Sequence, residues 1–253
     1  MPTVLPHYYS SLGPFRAAFA AGLPILTYHK LGPRPRGVRL RGLYLSAARF
    51  DRQLEELRQA GFASVPLAPA LQPPGSCPPI VLTFDDGIGN VLTYGLPILQ
   101  RHGYRAIQFL VSERLGQTNT WEQAEGEAPA RLMDDVQVRE WLSAGQWIGS
   151  HTRTHPWLTR LPLAAAREQI ASSRKDLEDR FGVAVEHFCY PYGDWNERVR
   201  DAVAEAGYTT ACTVEPGVNR PDTSPWSLKR FTARYPSRSL RTLREWWRSL
   251  RAS

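Results

Sequence analysis

Cysteine is scarce: 253 residues hold three, and Cys77, Cys189 and Cys212 show no paired spacing. An odd number cannot all pair within one chain, which argues against a disulfide-stapled scaffold and fits a reducing compartment. Long apolar runs are missing too. No stretch of about 18 or more apolar residues occurs, which leaves no candidate for a membrane-crossing helix. The nearest approach, residues 15–28, is interrupted by Arg16, Gly22 and Pro24. Residues 1–13 contain no lysine or arginine and two prolines, so a cleaved leader is not expected and the location is read as cytoplasmic. Internal repeats and low-complexity tracts are likewise lacking.

What is present is a large apolar complement, 42% of the residues, enough for one full core. The expectation is a single domain over residues 1–253, with an N-terminal extension at 1–22 and a basic amphipathic helix at 237–253. The net charge of +7 comes from arginine spread along the chain, so a nucleic-acid partner is not expected. Its one concentration is residues 237–253, where five arginines face Glu245 and Leu240, Leu243, Trp246, Trp247 and Leu250 recur at near-helical spacing. Such a helix either docks on the domain or makes a peripheral contact at the inner membrane face.

The chain is organised around Ile80-Val81-Leu82-Thr83-Phe84-Asp85-Asp86-Gly87, an apolar run ending in two carboxylates and a glycine. Runs apolar on both faces belong to covered parallel strands, whose carboxyl ends carry the chemistry. Alternation along a strand sends Asp85 and Asp86 in different directions, suiting one to a cation and the other to a proton. A helix N-cap is the plainer alternative for the pair. Strands are also expected at 24–28, 62–65, 106–111, 147–149, 186–190, 209–214 and 228–233. Helices are expected after Ser46, over 91–102 up to Gly103, after Asp134, over 162–181 and over 196–206. The alternation of strand and helix gives the fold class: α/β, a single distorted (β/α)7-type barrel.

Two further stretches follow strands in the same rhythm. In Ser150-His151-Thr152-Arg153-Thr154-His155, two imidazoles four residues apart converge on one cation if the backbone makes a single turn. In Tyr190-Pro191-Tyr192-Gly193, proline and glycine fix a loop whose backbone N–H groups are preorganised for a developing oxyanion, unless the aromatic turn only plugs the barrel mouth. Trp121, Trp157, Trp195 and Trp226 fall in expected loops, where they either stack on sugar rings or simply pack.

Together the Thr83-Phe84-Asp85-Asp86-Gly87, His151-Thr152-Arg153-Thr154-His155 and Tyr190-Pro191-Tyr192-Gly193 stretches resemble, in order and spacing, the three motifs of the polysaccharide deacetylases of carbohydrate esterase family 4. The likeness runs from about Pro24 to Ala233. It implies a distorted β/α barrel removing acetyl groups from N-acetylated amino sugars. By that resemblance Asp86, His151 and His155 bind a divalent metal, usually Zn2+. Asp85 is the general base on a water whose acidity the cation raises, and the backbone N–H of Tyr192 helps hold the oxyanion.

The chain departs from the family in two places. The third motif lacks the arginine that orients the base, and Arg230 is the substitute candidate. No histidine follows His187, so the family's terminal acid is missing. His29, at the end of the first strand, is the candidate proton donor or substrate contact, with a structural histidine as the alternative. The overall reading is a metal-dependent hydrolase acting on an N-acetylated amino-sugar oligomer or polysaccharide. The alternatives are a weakly active or inactive carbohydrate-binding relative, or a deacylase of a small acylated metabolite.

Overall fold

The computed structural model describes residues 5–67, 77–123 and 126–235, so the basic amphipathic helix expected at 237–253 lies outside the described residues. Strands and helices alternate. The principal strands are β1 (Ile25–Tyr28), β4 (Ala63–Ser64), β5 (Pro79–Phe84), β6 (Ile107–Leu110), β7 (Trp147–Ser150), β8 (His187–Cys189), β9 (Thr210–Cys212) and β10 (Phe231–Thr232). A small side pair is formed by β2 (Lys30–Leu31) and β3 (Tyr44–Leu45). The helices are α1 (Arg16–Ala20), α2 (Ala47–Gln59), α3 (Asn90–Tyr94), α4 (Leu96–His102), α5 (Asp135–Ser143), α6 (Leu163–Phe181) and α7 (Glu197–Glu205).

All pairings between these strands are parallel, in the order β10-β1-β5-β6-β7-β8-β9, with β4 beside β5. The sheet curls until its edges are bridged by one segment. Leu228 donates to the Ala211 carbonyl and accepts from Thr213, beside β9, and three residues later Phe231 pairs with Leu26 of β1. That seam closes the distorted β/α barrel. The strand expected over 228–233 is therefore a short strand with single bridges at Leu228 and Ala233, because the segment changes partner midway.

Helix starts follow the side chains available to cap them. Ser46, Asp134 and Asn196 each accept from the backbone N–H three residues on, and Asp134 with Gln137 completes a capping box. The single helix expected over 91–102 is two, α3 and α4. Pro97 has no N–H to continue the ladder, so the chain restarts at Gly95.

The core is aromatic-rich. Tyr28, Phe50, Phe84 and Trp141 meet ring to ring between the sheet and its helices. The described part of the N-terminal segment, residues 5–22, is built into this core. Tyr9, Phe15 and Phe19 are fully buried, and the Phe15 ring meets Phe231 of β10 at 5.0 Å between centroids. Burial of three such rings is worth several kcal/mol, on the order of 2–3 each.

Candidate metal and catalytic centre

The carboxyl ends of β1, β5, β7 and β8 deliver their following residues to one pocket of about 450 Å³, whose wall includes His29, Asp85, Asp86, His151, His155 and Tyr192. All seven candidate site residues read from the sequence thus meet there or, for Arg230, directly behind it.

Asp85 ends the central strand, its N–H bonded to the Tyr28 carbonyl at 3.0 Å. Arg230 approaches from the closing seam and grips it with both arms of the fork, Nη1 to Oδ1 at 2.7 Å and Nη2 to Oδ2 at 2.8 Å. The guanidinium is itself buried and saturated. Nε donates to the Thr213 carbonyl, Nη1 also to Thr27 and Thr83 Oγ1, and Nη2 lies 3.1 Å from Cys189 Sγ. Burial alone would push the Asp85 carboxyl up. The charge and hydrogen bonds of Arg230 outweigh it and hold the group below its usual range, ionised at neutral pH.

Asp86 turns the other way, but strand alternation is not the cause. Its φ is +73°, and Gly87 follows at +74°, so the chain makes a left-handed turn at the strand end. A side chain added at Gly87 would press Leu110 Cδ2 at 3.1 Å. Thr152, His155 and Tyr192 are also left-handed, at +69°, +64° and +59°. Each such non-glycine residue costs about 1–3 kcal/mol, and all four sit in the loops around this pocket. The histidine stretch is accordingly a strained loop rather than a helical turn, with Thr152 Oγ1 accepting from the His155 N–H at 3.0 Å.

The result is a compact donor set. Asp86 Oδ1 lies 3.6 Å from His151 Nε2 and 3.3 Å from His155 Nε2. His151 Nδ1 is 2.6 Å from the Cys189 carbonyl, which requires Nδ1 to carry the proton and leaves the Nε2 lone pair facing the Asp86 oxygen. Two acceptors so placed repel unless a positive charge, a proton on Nε2 or a metal ion, stands between them. Burial works against a charged His151, yet Cys189 and the Asp86 and Asp85 carboxylates outweigh it and hold its pKa well above the usual value. Asp86 is held well below its own, burial being overcome by hydrogen bonding from both imidazoles. The nitrogen-nitrogen-oxygen set therefore fits a divalent cation. A second cluster, Asp85 with His151 and Cys189, fits less well, since burial raises the Cys189 thiol pKa and keeps it protonated.

His29 faces the same pocket, with Nε2 3.8 Å from Asp85 Oδ2 and a buried Nδ1 that has no hydrogen-bond partner. Burial lowers its pKa, against the pull of Asp85 and Asp86. Of the four loop tryptophans, two reach the site. Trp121 stacks on His155 at 4.4 Å, and Trp157 lies parallel to Tyr192 at 4.1 Å while remaining 38% exposed. Trp195 and Trp226 pack instead, the first against Tyr190 and the second donating to the Tyr208 carbonyl.

Sequence reasoning missed Cys189 beneath Asp85 and the carboxyl of Glu122 in the pocket wall. Glu122 accepts from Lys30 Nζ at 2.7 Å and from Asn119 at 3.0 Å. Burial and then the Asp86 charge raise its pKa to about 7. Lys30 directly follows His29, and nothing local in the sequence marks it as a buried ammonium.

Comparison with known proteins matches this architecture. YxkH of Bacillus subtilis (strain 168), which bears a provisional polysaccharide deacetylase name, is 27% identical over 217 residues, 83% of this chain and 71% of that protein. The peptidoglycan-N-acetylglucosamine deacetylase PgdA of Listeria monocytogenes (strain 10403S) is 28% identical over 125 residues, 49% of this chain; the match spans 23% of PgdA. The Streptococcus pyogenes deacetylase PplD, solved with acetate, superposes with a TM-score of 0.73 at 22% identity, covering 88% of this chain and 97% of that one, a likeness of fold. The polysaccharide deacetylase family model matches residues 72–211, more than half the chain and inclusive of the Asp pair, the His pair and the Tyr192 loop. The chain belongs to the polysaccharide deacetylase family.

Proposed function

We propose that this deacetylase removes N-acetyl groups from an amino-sugar oligomer or polysaccharide, and that Asp86, His151 and His155 hold a divalent metal, Zn2+ before others. Nitrogen and carboxylate donors suit that ion. When bound there, the cation would raise the acidity of water and polarise the acetamide carbonyl.

The remaining chemistry falls to side chains. Asp85, kept ionised by Arg230, takes a proton from the attacking water as its oxygen adds to the acetamide carbonyl. Tyr192, its backbone set by the left-handed turn, lies in the wall where the oxyanion develops. As the carbon–nitrogen bond breaks, the amine takes up the proton and acetate is released. His29 stands close enough to Asp85 to return that proton. Trp157 and Tyr192, stacked at the rim, offer an apolar face to a sugar ring.

The observation that carries this reading is the fork of Arg230 on Asp85 beside the Asp86–His151–His155 set, a base and a cation site kept separate within one pocket. It also weighs against a pure binding role, which needs no second ionised carboxylate. The test is acetate release from N-acetylglucosamine oligomers by zinc-loaded protein, with Asp85→Asn beside it and zinc counted in both. A loss of about 10²–10⁴-fold with zinc retained is expected. Undiminished release by Asp85→Asn, or none by the zinc-bound parent, refutes the assignment.

A further inference from the structure

Beside the catalytic pocket lies a second, larger cavity of about 710 Å³, with Arg41, Gly42 and Arg234 lining both. Arg34 lines this larger cavity and also an adjoining hollow of about 230 Å³ shared with Arg36 and Arg41, and Arg39 stands in the catalytic wall. Five arginines thus border three neighbouring spaces, and among the described residues no carboxylate lines the large cavity or the small hollow.

What distinguishes these five is their shared place around the cavities, since Arg52, Arg131, Arg198 and Arg220 elsewhere likewise have no acidic partner among the described residues. On the outer helices and loops, Arg101, Arg153, Arg167, Arg174, Arg180 and Arg200 each hold an acidic side chain. The side chains of Arg34, Arg36, Arg39 and Arg41 have no ion pair or hydrogen bond among the described residues. Arg234 has a buried Nε with no hydrogen-bond partner, and its guanidinium lies 3.9 Å over the Tyr8 ring. Its guanidinium lies close against Gly42, where an added side chain would meet Cζ at 2.5 Å. Clustered unpaired cations beside a cleft repel one another and concentrate anions there.

We propose that this cavity is an anion-binding subsite that seats a phosphate ester carried by the sugar chain next to the N-acetyl group being removed. Guanidinium forks match phosphate oxygens two at a time, and several arginines suit a phosphate better than the single charge of a carboxylate. The volume exceeds that of a phosphate, so the ester continues on one side toward the catalytic pocket and on the other toward solvent. The proposal rests on the deacetylase reading above.

The test compares kcat/KM for an N-acetylglucosamine tetramer with that for the same tetramer bearing a 1-phosphate, at fixed ionic strength, with the zinc-loaded full chain. The parent protein is expected to favour the phosphorylated tetramer at least tenfold, mostly through KM. Arg34→Gln/Arg41→Gln is expected to bring the ratio of the two substrates near one. The subsite is overturned by a ratio near one in the parent, by a preference that survives the double variant, or by an equal preference for a tetramer ending in a uronate. It is also overturned if Arg198→Gln/Arg220→Gln, at two exposed positions outside the cavity lining, lowers the ratio as far, since net charge would then be the cause. Should the zinc-bound parent hydrolyse neither substrate, the deacetylase reading fails separately, and calorimetry decides the subsite. Binding of the phosphorylated tetramer at least tenfold tighter than the neutral one, lost in Arg34→Gln/Arg41→Gln, supports it; equal affinities overturn it.

Discussion

Replacing Arg230 by methionine keeps the volume behind the base and removes the charge. The guanidinium makes two bonds to Asp85, and four more to Thr213, Thr27, Thr83 and Cys189. Both charges are desolvated, so deletion of one leaves the other as an uncompensated buried carboxylate, a loss of about 3–5 kcal/mol. For a chain of this size that lowers Tm by roughly 6–20 °C. The pH dependence has a definite sign. Arg230 holds the Asp85 pKa below its usual value, so the pair stabilises the fold above the carboxylate range and the contribution fades as pH falls through it. In Arg230→Met, burial loses its main opponent and the Asp85 pKa rises, so the stability deficit is largest near neutrality and shrinks in acid. The acid limb of kcat/KM moves to higher pH in parallel. Denaturant unfolding across pH and a kcat/KM profile on N-acetylated oligomers read both. Asp85→Asn/Arg230→Met should be more stable than Arg230→Met alone, because no charge is stranded. A deficit under about 1 kcal/mol at neutral pH, or one that stays constant into acid, would refute the reasoning.

Other outcomes follow from the same geometry. Stripping zinc with a chelator should abolish acetate release, and restoring it at a hundredfold excess over Kd should raise stability by about 2.7 kcal/mol; His155→Ala should lose most of that gain. His187 is buried against Thr210, and burial lowers its pKa from 6.5 to about 4. The unfolded chain therefore binds the extra proton between those values, and stability should fall by about 3 kcal/mol as pH drops through that window, a slope flattened in His187→Gln. Phe15→Ala should cost about 3–5 kcal/mol in denaturant unfolding, whereas a loosely attached N-terminal segment would cost almost nothing.

The strand ends were legible because each ends an apolar run with a chemically distinctive residue: Asp85-Asp86 after β5, His151 after β7, Tyr192 after β8. Arg230 was reachable only through the family resemblance, as the last-strand substitute for the arginine that the third motif lacks. The left-handed turns at Asp86 and His155 were not legible, since nothing in aspartate or histidine demands a positive φ; the surrounding barrel imposes it. Cys189, Glu122 and the arginines around the outer cavity depend on contacts across the curled sheet and between separate loops. Periodicity reports one face of one element and carries no information about which loops meet above it. The two tryptophans that pack and the two that reach the pocket likewise look the same in sequence.

The seam at residues 228–232 links synthesis to chemistry. Arg230 lies 145 residues after Asp85 and is the counter-charge for an acid already set in the middle of the sheet. A growing chain that has not reached this segment has both an open sheet edge and a carboxylate it cannot bury, so neither defect can be repaired without the other. Early release from the ribosome before residue 228 should therefore leave an aggregation-prone, protease-sensitive fragment rather than a smaller deacetylase. Enzymatic competence and a closed barrel arrive with the same few residues.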